Sequence, residues 1–450
     1  MNRRDFLKLA AGALAAPLAR PFRLFARPRS AVRNDLFWIT GIPDQPFTDP
    51  SNPHAHAAVH RLLYLMGGRG LQFYRSAEES LLSGPGGMIA ADDVVLLKVN
   101  AQWKYRGCTN SDLVRGVIRA ILDHPDGFQG EVVIMENGQG RGSLNCATAS
   151  SYDGDASVRA NANDESHSFL YLVDSVFADP RVSARLLDTV RGVSCPAGDH
   201  ATDGYRSYEN VSYPCFTTAG GRRVELREGI WTGSGYAQNL KLINIPVLKH
   251  HDAGGSEITA ALKHFYGVLS MSDGNSPFRH YRGLGETAGK MAASVRTPVL
   301  NIIDAIWVSH LSITGYPASA TVRRNQILAS QDPVALDYWA AKYILYPIDL
   351  NPRHHPSFSG IAAWLNSARD TINSRGGLAD PEAGIAVGSV TADEEEMLVL
   401  GADVNGDGLT DSRDLGIVMS RWGDVSFSPA DIDQNGVVDL TDFVILSESL

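Results

Sequence analysis

The chain has 450 residues, 44% of them hydrophobic and 20% charged, with a formal net charge of -10. That is the composition of an ordinary soluble globular protein, long enough for a sizeable core and more than one domain. Residues 1–33 hold eight basic residues and one acid. No basic patch of the nucleic-acid-binding type occurs beyond them, which excludes that class of partner.

The amino terminus reads as an address. Arg3-Arg4-Asp5-Phe6-Leu7-Lys8 leads into a short Ala-rich apolar run, Leu9 to Leu18. This resembles a twin-arginine export signal, with Ala13-Leu14-Ala15 as its cleavage site. The run is too short for a stable membrane span. The resemblance implies export of the folded protein to the periplasm, the cell surface or the medium. Cys108, Cys146, Cys195 and Cys215 contain no C-x-x-C pair and are too widely spaced for a zinc ribbon or a ferredoxin run. In an exported chain they read as one or two disulfides or as buried thiols, with the pairing open.

Residues 34–91 form a lead-in, with turns at Gly41-Ile42-Pro43 and Asp49-Pro50 and a helix near His56 to Met66. His56 and His60 share a helix face. No third ligand can be placed, so a capping or solvated role fits them better than metal. From residue 92 to 377 an α/β rhythm runs. Asp93–Val99 reads as a buried strand, Thr109-Asn110-Ser111-Asp112 caps a helix to Leu122, and Glu131–Met135 is the next strand. Strand, helix and strand in about forty-five residues make a βαβ unit, so the fold class is α/β, a mostly parallel sheet with flanking helices. Further strands are expected at Leu240–Leu248, Val299–Ile303 and Asn325–Ala329. Helices are expected at Glu257–Tyr266, from Asp332-Pro333 through Tyr343, and at Ile361–Ile372. Residues 137–166 read as a long polar loop. Asn137-Gly138-Gln139-Gly140-Arg141-Gly142 within it fits neither nucleotide-binding fingerprint, and a turn suits it better than a phosphate cradle. Arg353-His354-His355-Pro356 reads as a surface turn. Residues 378–400 read as a linker.

The body's chemistry concentrates after one strand. Lys249, His250, His251 and Asp252 follow Leu240–Leu248 directly, and Gly254-Gly255 keeps the loop open. Lys263 and His264 sit one helix further on, and Asp304 ends another strand. Carboxyl ends of parallel strands are where such folds place ligands. Lys249, His250, His251, Lys263, His264 and Asp304 are therefore the candidate catalytic residues, suited to an anionic or metal-chelated ligand with a histidine moving protons. There is no nucleophile elbow, no H-E-x-x-H and no carboxylate pair for glycoside cleavage. Strand Asp93–Val99 ending in Lys98-Val99-Asn100, then Ile243-Asn244-Ile245-Pro246-Val247-Leu248-Lys249-His250-His251, Leu262-Lys263-His264-Phe265-Tyr266-Gly267 and Asp332-Pro333-Val334-Ala335-Leu336-Asp337 resemble, in that order, domain-of-unknown-function family 362. The resemblance spans about residues 92–345 and implies an α/β fold without a settled reaction. Some relatives carry ferredoxin-like clusters, for which this chain lacks the cysteines. The body's cofactor stays unknown, and whether it is an enzyme stays open.

Residues 401–450 repeat one loop twice, Asp403–Asp414 and Asp431–Asp442. Oxygen ligands fall at positions one, three, five, nine and twelve, with Gly at six and a backbone carbonyl at seven, the spacing that wraps a calcium ion. The ligands are Asp403, Asn405, Asp407, Leu409, Asp411 and Asp414, then Asp431, Asp433, Asn435, Val437, Asp439 and Asp442. Each loop precedes one short helix, and too few residues separate the two for an entering helix. This resembles a dockerin type I module, a small all-α, EF-hand-like unit with two calcium ions. The resemblance implies a cohesin-like protein partner. Ser412-Arg413 and Leu440-Thr441, at the equivalent contact positions, do not match each other. The expectation is thus an exported modular protein with a calcium-dependent docking tail and an α/β body that binds a small anionic or metal-containing ligand. A cofactor-loaded redox enzyme and a tethered component of polysaccharide degradation are the alternatives.

Overall fold

The computed structural model describes residues 35–140, 142–147, 157–252, 255–270, 273, 278–377, 379, 385–390, 412–423, 430, 432, 438 and 440–449. The export signal lies outside these residues. A mixed sheet forms the body. Its main path takes β1 (Leu36–Thr40), β5 (Val94–Val99), β6 (Glu131–Glu136), β7 (Val182–Leu186), β13 (Leu240–Ile245), β16 (Leu300–Ser309), β17 (Thr321–Ser330) and β18 (Ile385–Ser389), with β14 (Val247–His250) branching from β16 and β15 (Ile258–Thr259) pairing with β14. Three two-residue strands, β2 (Tyr74–Arg75), β3 (Ser83–Gly84) and β4 (Ile89–Ala90), make a small sheet of their own. The main order is β18-β1-β17-β16-β13-β5-β6-β7. Pairing is parallel from β16 through β7 and between β1 and β18. It is antiparallel where β17 meets β1 and β16. The sheet thus reaches beyond residues 92–377, taking β1 from the lead-in and β18 from the stretch read as a linker.

Alternation along each strand explains why the sheet is covered on both faces. Leu36 and Trp38, Val94 and Leu96, Val133 and Met135, and Leu240 and Leu242 enter one core. Phe37 and Ile39, Val95 and Leu97, Val132 and Ile134, and Ile243 and Ile245 enter the other. The second core is closed by helices α1 (Ala57–Gly68) and α2 (Ser111–Leu122). In α2 the residues Leu113, Val114, Val117, Ile118 and Ile121 recur at helical spacing and are fully buried. Asn110 caps this helix by accepting from Leu113 N–H at 3.0 Å, an interaction worth about 1 kcal/mol. His56 caps α1 instead of lying within it, its Nδ1 accepting from Ala58 N–H at 3.2 Å.

The first core is closed by α3 (Ala261–His264), α4 (Leu284–Lys290), α5 (Pro333–Trp339) and α6 (Ser359–Asn373). A five-stranded antiparallel sheet also covers it: β8 (Gly204–Tyr208), β9 (Val211–Thr217), β10 (Arg223–Glu225), β11 (Gly229–Trp231) and β12 (Tyr236–Ala237). The expected helix Glu257–Tyr266 is much shorter. Its first residues form strand β15 (Ile258–Thr259), because the backbone there pairs antiparallel with β14 (Val247–His250) and is not free to coil. The expected strand Leu240–Leu248 is broken at Pro246 into β13 and β14, since proline cannot donate to a ladder.

All four cysteines are buried thiols. Cys108 and Cys146 touch through their side chains. In the tail, α7 (Ser412–Ser420) and α8 (Leu440–Ser449) pack around Val418, Ala430, Ile432, Val438 and Leu446. Among the described residues no helix is long and apolar enough to cross a membrane.

Candidate functional site

The strands β5, β6 and β14 deliver their carboxyl ends to one cavity of about 310 Å3. Its wall includes Asn100, Glu136, Lys249, His251, Lys263 and His264. Strand alternation decides which residue of the basic run enters. In β14, Lys249 turns inward and is 3% exposed. The neighbouring His250 turns away to His354, with Nδ1 and Nε2 2.9 Å apart. His354 is fully buried, not a surface residue, and its Nδ1 meets Asp349 Oδ1 at 3.2 Å. Lys249 Nζ donates to Gly107 O at 2.7 Å.

Asp337, from α5, holds the next part of the wall in place from behind. Its two carboxylate oxygens accept from Ala261 N–H at 2.6 Å and Leu262 N–H at 3.0 Å. This satisfies the first donors of α3, the four-residue turn that carries Lys263 and His264. Asn244 Nδ2 donates to Ala261 O at 3.0 Å and to Asn301 Oδ1 at 3.1 Å. The Asn244 Oδ1 is thereby left to accept, and it lies 2.6 Å from His264 Nδ1. His264 therefore donates from Nδ1, and Nε2 is the basic nitrogen of its neutral ring. Lys263 Nζ lies 3.0 Å from His280 Nε2 and 4.5 Å from the centre of the Tyr266 ring.

Behind the cavity, Lys98 and Glu136 form an ion pair, 0% and 2% exposed. Lys98 Nζ also donates to Val99 O at 2.8 Å. Burial pulls this ammonium down and pushes the carboxyl up, each to about 8, and their contact opposes both shifts. A Cβ on Gly267 would collide with Lys98 Nζ and Glu136 Oε1, so the last residue of Leu262–Gly267 has to be glycine for the pair to close.

Burial dominates the other groups as well. It lowers Lys249 and Lys263 to about 7, and holds His251 and His264 well below the usual imidazole value. Among the described residues neither Lys249 nor Lys263 has a carboxylate at ion-pair distance.

Of the six candidates, Lys249, His251, Lys263 and His264 meet around the cavity. His250 and Asp304 do not. Asp304 is fully buried and accepts from Asn110 N–H at 2.7 Å and Ile306 N–H at 3.0 Å, fixing the start of α2. Glu136, Lys98 and His280 were not among the candidates. Lys98 sat in a motif, Lys98-Val99-Asn100, that carried a usable signal: a charged residue inside an otherwise apolar buried strand. His280 follows no strand and had none. The first part of the segment Asn137–Gly142, residues 137–140, grips an anion of its own chain, since Gly138 and Gly140 N–H both donate to the Asp188 carboxylate. Of the calcium-loop positions, Asp414 falls in α7 and Asp442 is buried in the first turn of α8. The remaining loop ligands lie outside the described residues.

No curated protein and no solved structure matches the chain. Residues 217–342 match the family model described as a domain of unknown function (DUF362), a stretch that carries Lys249, His251, Lys263, His264 and His280.

Proposed function

We propose that the body binds a small anion of carboxylate or phosphate class in this cavity and moves a proton on it. The observation that carries this reading is the pair of buried lysines, Lys249 and Lys263, that face a 310 Å3 cavity and, among the described residues, have no carboxylate at ion-pair distance, although Glu136 and Asp252 also line the wall. Burial lowers both amines to about 7, so keeping them charged without an anionic partner is costly. An anionic ligand would supply the partner, and a cavity of roughly 300 Å3 is the size of a metabolite site. His264, neutral with Nε2 as its basic nitrogen, is the candidate proton acceptor.

The test is the melting temperature of the full chain with inorganic phosphate, pyrophosphate or malonate. At least one should raise it. Lys263→Met should raise the ligand-free value by the equivalent of about 1–2 kcal/mol, because it removes a desolvated charge, and should abolish the anion's effect. Equal shifts in wild type and variant, or no shift with any of the three, would sink the idea.

The same proposal extends to the ends of the chain. Export rests on the Arg3-Arg4 leader, and calcium binding on the two loops, which lead into α7 and α8. A cohesin-like partner for the tail rests on the same loops. Calcium titration should find two sites, one lost in Asp403→Ala and the other in Asp431→Ala. Retention of both in either variant would remove the docking reading with them.

A further inference from the structure

The loop after β14 and the helical turn Phe278–Arg282 bring three metal-ligating side chains together at the edge of the cavity. His251, Asp252 and His280 each offer one ligand atom, and these atoms all lie within 4.8 Å of one another. His251 Nδ1 is 3.6 Å from Asp252 Oδ1. The two imidazole rings are 5.4 Å apart, centre to centre. Two imidazoles and one carboxylate, held on one side, are the donor set of metal sites that keep open positions for water or substrate.

We propose that His251, Asp252 and His280 bind a divalent first-row metal ion of the zinc or iron(II) class, with its open positions turned into the cavity. Outer contacts fit this. Tyr281 O–H donates to Asp252 Oδ2 at 3.2 Å and leaves Oδ1 for the ion. Ser256 Oγ lies 2.9 Å from His251 Nδ1, where it can accept the proton of a ring bound through Nε2. Asp252 N–H donates to the same Nδ1 at 2.7 Å, a bond that a ring bound through Nε2 has to give up. A collision at Gly255 adds a sequence constraint, since a Cβ there would strike the Tyr281 ring. The glycine therefore lets Tyr281 approach Asp252. Lys263 Nζ lies 3.0 Å from His280 Nε2, where its amine competes with the ion for that nitrogen and, when protonated, repels it. The proposal does not rest on the anion reading, and Lys263 separates the two. Its replacement by Met should weaken an anion and tighten a metal.

The experiment is a titration of the full chain with Co2+ as a spectroscopic stand-in, in excess Ca2+ so that the C-terminal loops are filled. Wild type should take up one Co2+ with visible ligand-field bands, and Zn2+ should displace it. Asp252→Asn and His280→Ala should each weaken uptake by at least about ten-fold, and Lys263→Met should strengthen it. Asp252 is 41% exposed, so Asp252→Asn keeps the fold and a loss there is a loss of a ligand. No Co2+ uptake by wild type, or wild-type affinity in both Asp252→Asn and His280→Ala, would overturn the site.

Discussion

Glu136→Ala is expected to destabilise the protein by about 3–5 kcal/mol, the cost of leaving a buried charge unpaired. Lys98 is fully buried, and after the substitution Val99 O would be the one acceptor left to its ammonium among the described residues. The double variant Lys98→Met/Glu136→Leu should recover most of that loss, because replacing both charges with apolar groups of similar volume removes the desolvation cost as well. Recovery of stability need not restore binding. Glu136 lines the cavity, and its carboxylate pairs with Lys98. Chemical denaturation of wild type, the single variant and the double variant gives the coupling energy between the two sites. A Glu136→Ala loss below about 1 kcal/mol would show that Lys98 relaxes into solvent or neutralises without cost, against the burial and the contact at Gly267.

Lys98 illustrates what the sequence could and could not reveal. The strand around it was legible as Asp93–Val99 from its apolar run, and β5 occupies Val94–Val99. A lysine inside such a run is fully buried only if something meets it, and the partner, Glu136, lies 38 residues away on β6. That pairing is a property of parallel register, Lys98 opposite Met135, which no local pattern encodes. The basic run at Lys249–His251 was legible as a strand-end cluster. Its division into an inward Lys249 and an outward His250 required knowing that Pro246 breaks the strand and restarts it in pairing with β16 and β15. The antiparallel sheet from Gly204 to Ala237 gave little signal, because its strands are short and carry charge inward. Glu225, fully buried there, pairs with Arg206 and His200 and with the Tyr236 hydroxyl. His280 reaches the site from a turn that packs against Tyr266 and Tyr281, a contact made only in the folded chain.

Asp337→Ala should cost about 2–4 kcal/mol, because it strands two buried donors, Ala261 N–H and Leu262 N–H, at roughly 1–3 kcal/mol for a buried group left unsatisfied. The stronger expectation concerns the site. α3 is one turn long, too short to hold itself together, so the carboxylate of Asp337 is what fixes Lys263 and His264 against the cavity. Asp332→Ala provides the comparison from the same motif. Asp332 Oδ1 accepts from Val334 N–H at 2.8 Å and Ala335 N–H at 3.2 Å, capping α5, and its loss should cost about 1 kcal/mol without disturbing Lys263. Anion-induced shifts in melting temperature should therefore survive in Asp332→Ala and vanish in Asp337→Ala, with amide exchange at residues 261 and 262 accelerated only in the latter. Asp337→Asn should fall between the two in stability, since its amide keeps one acceptor and turns an NH2 toward the second backbone donor. Equal stability losses in the two alanine variants, with the anion effect intact in both, would mean that the turn is held by its apolar contacts with α5 and not by the carboxylate.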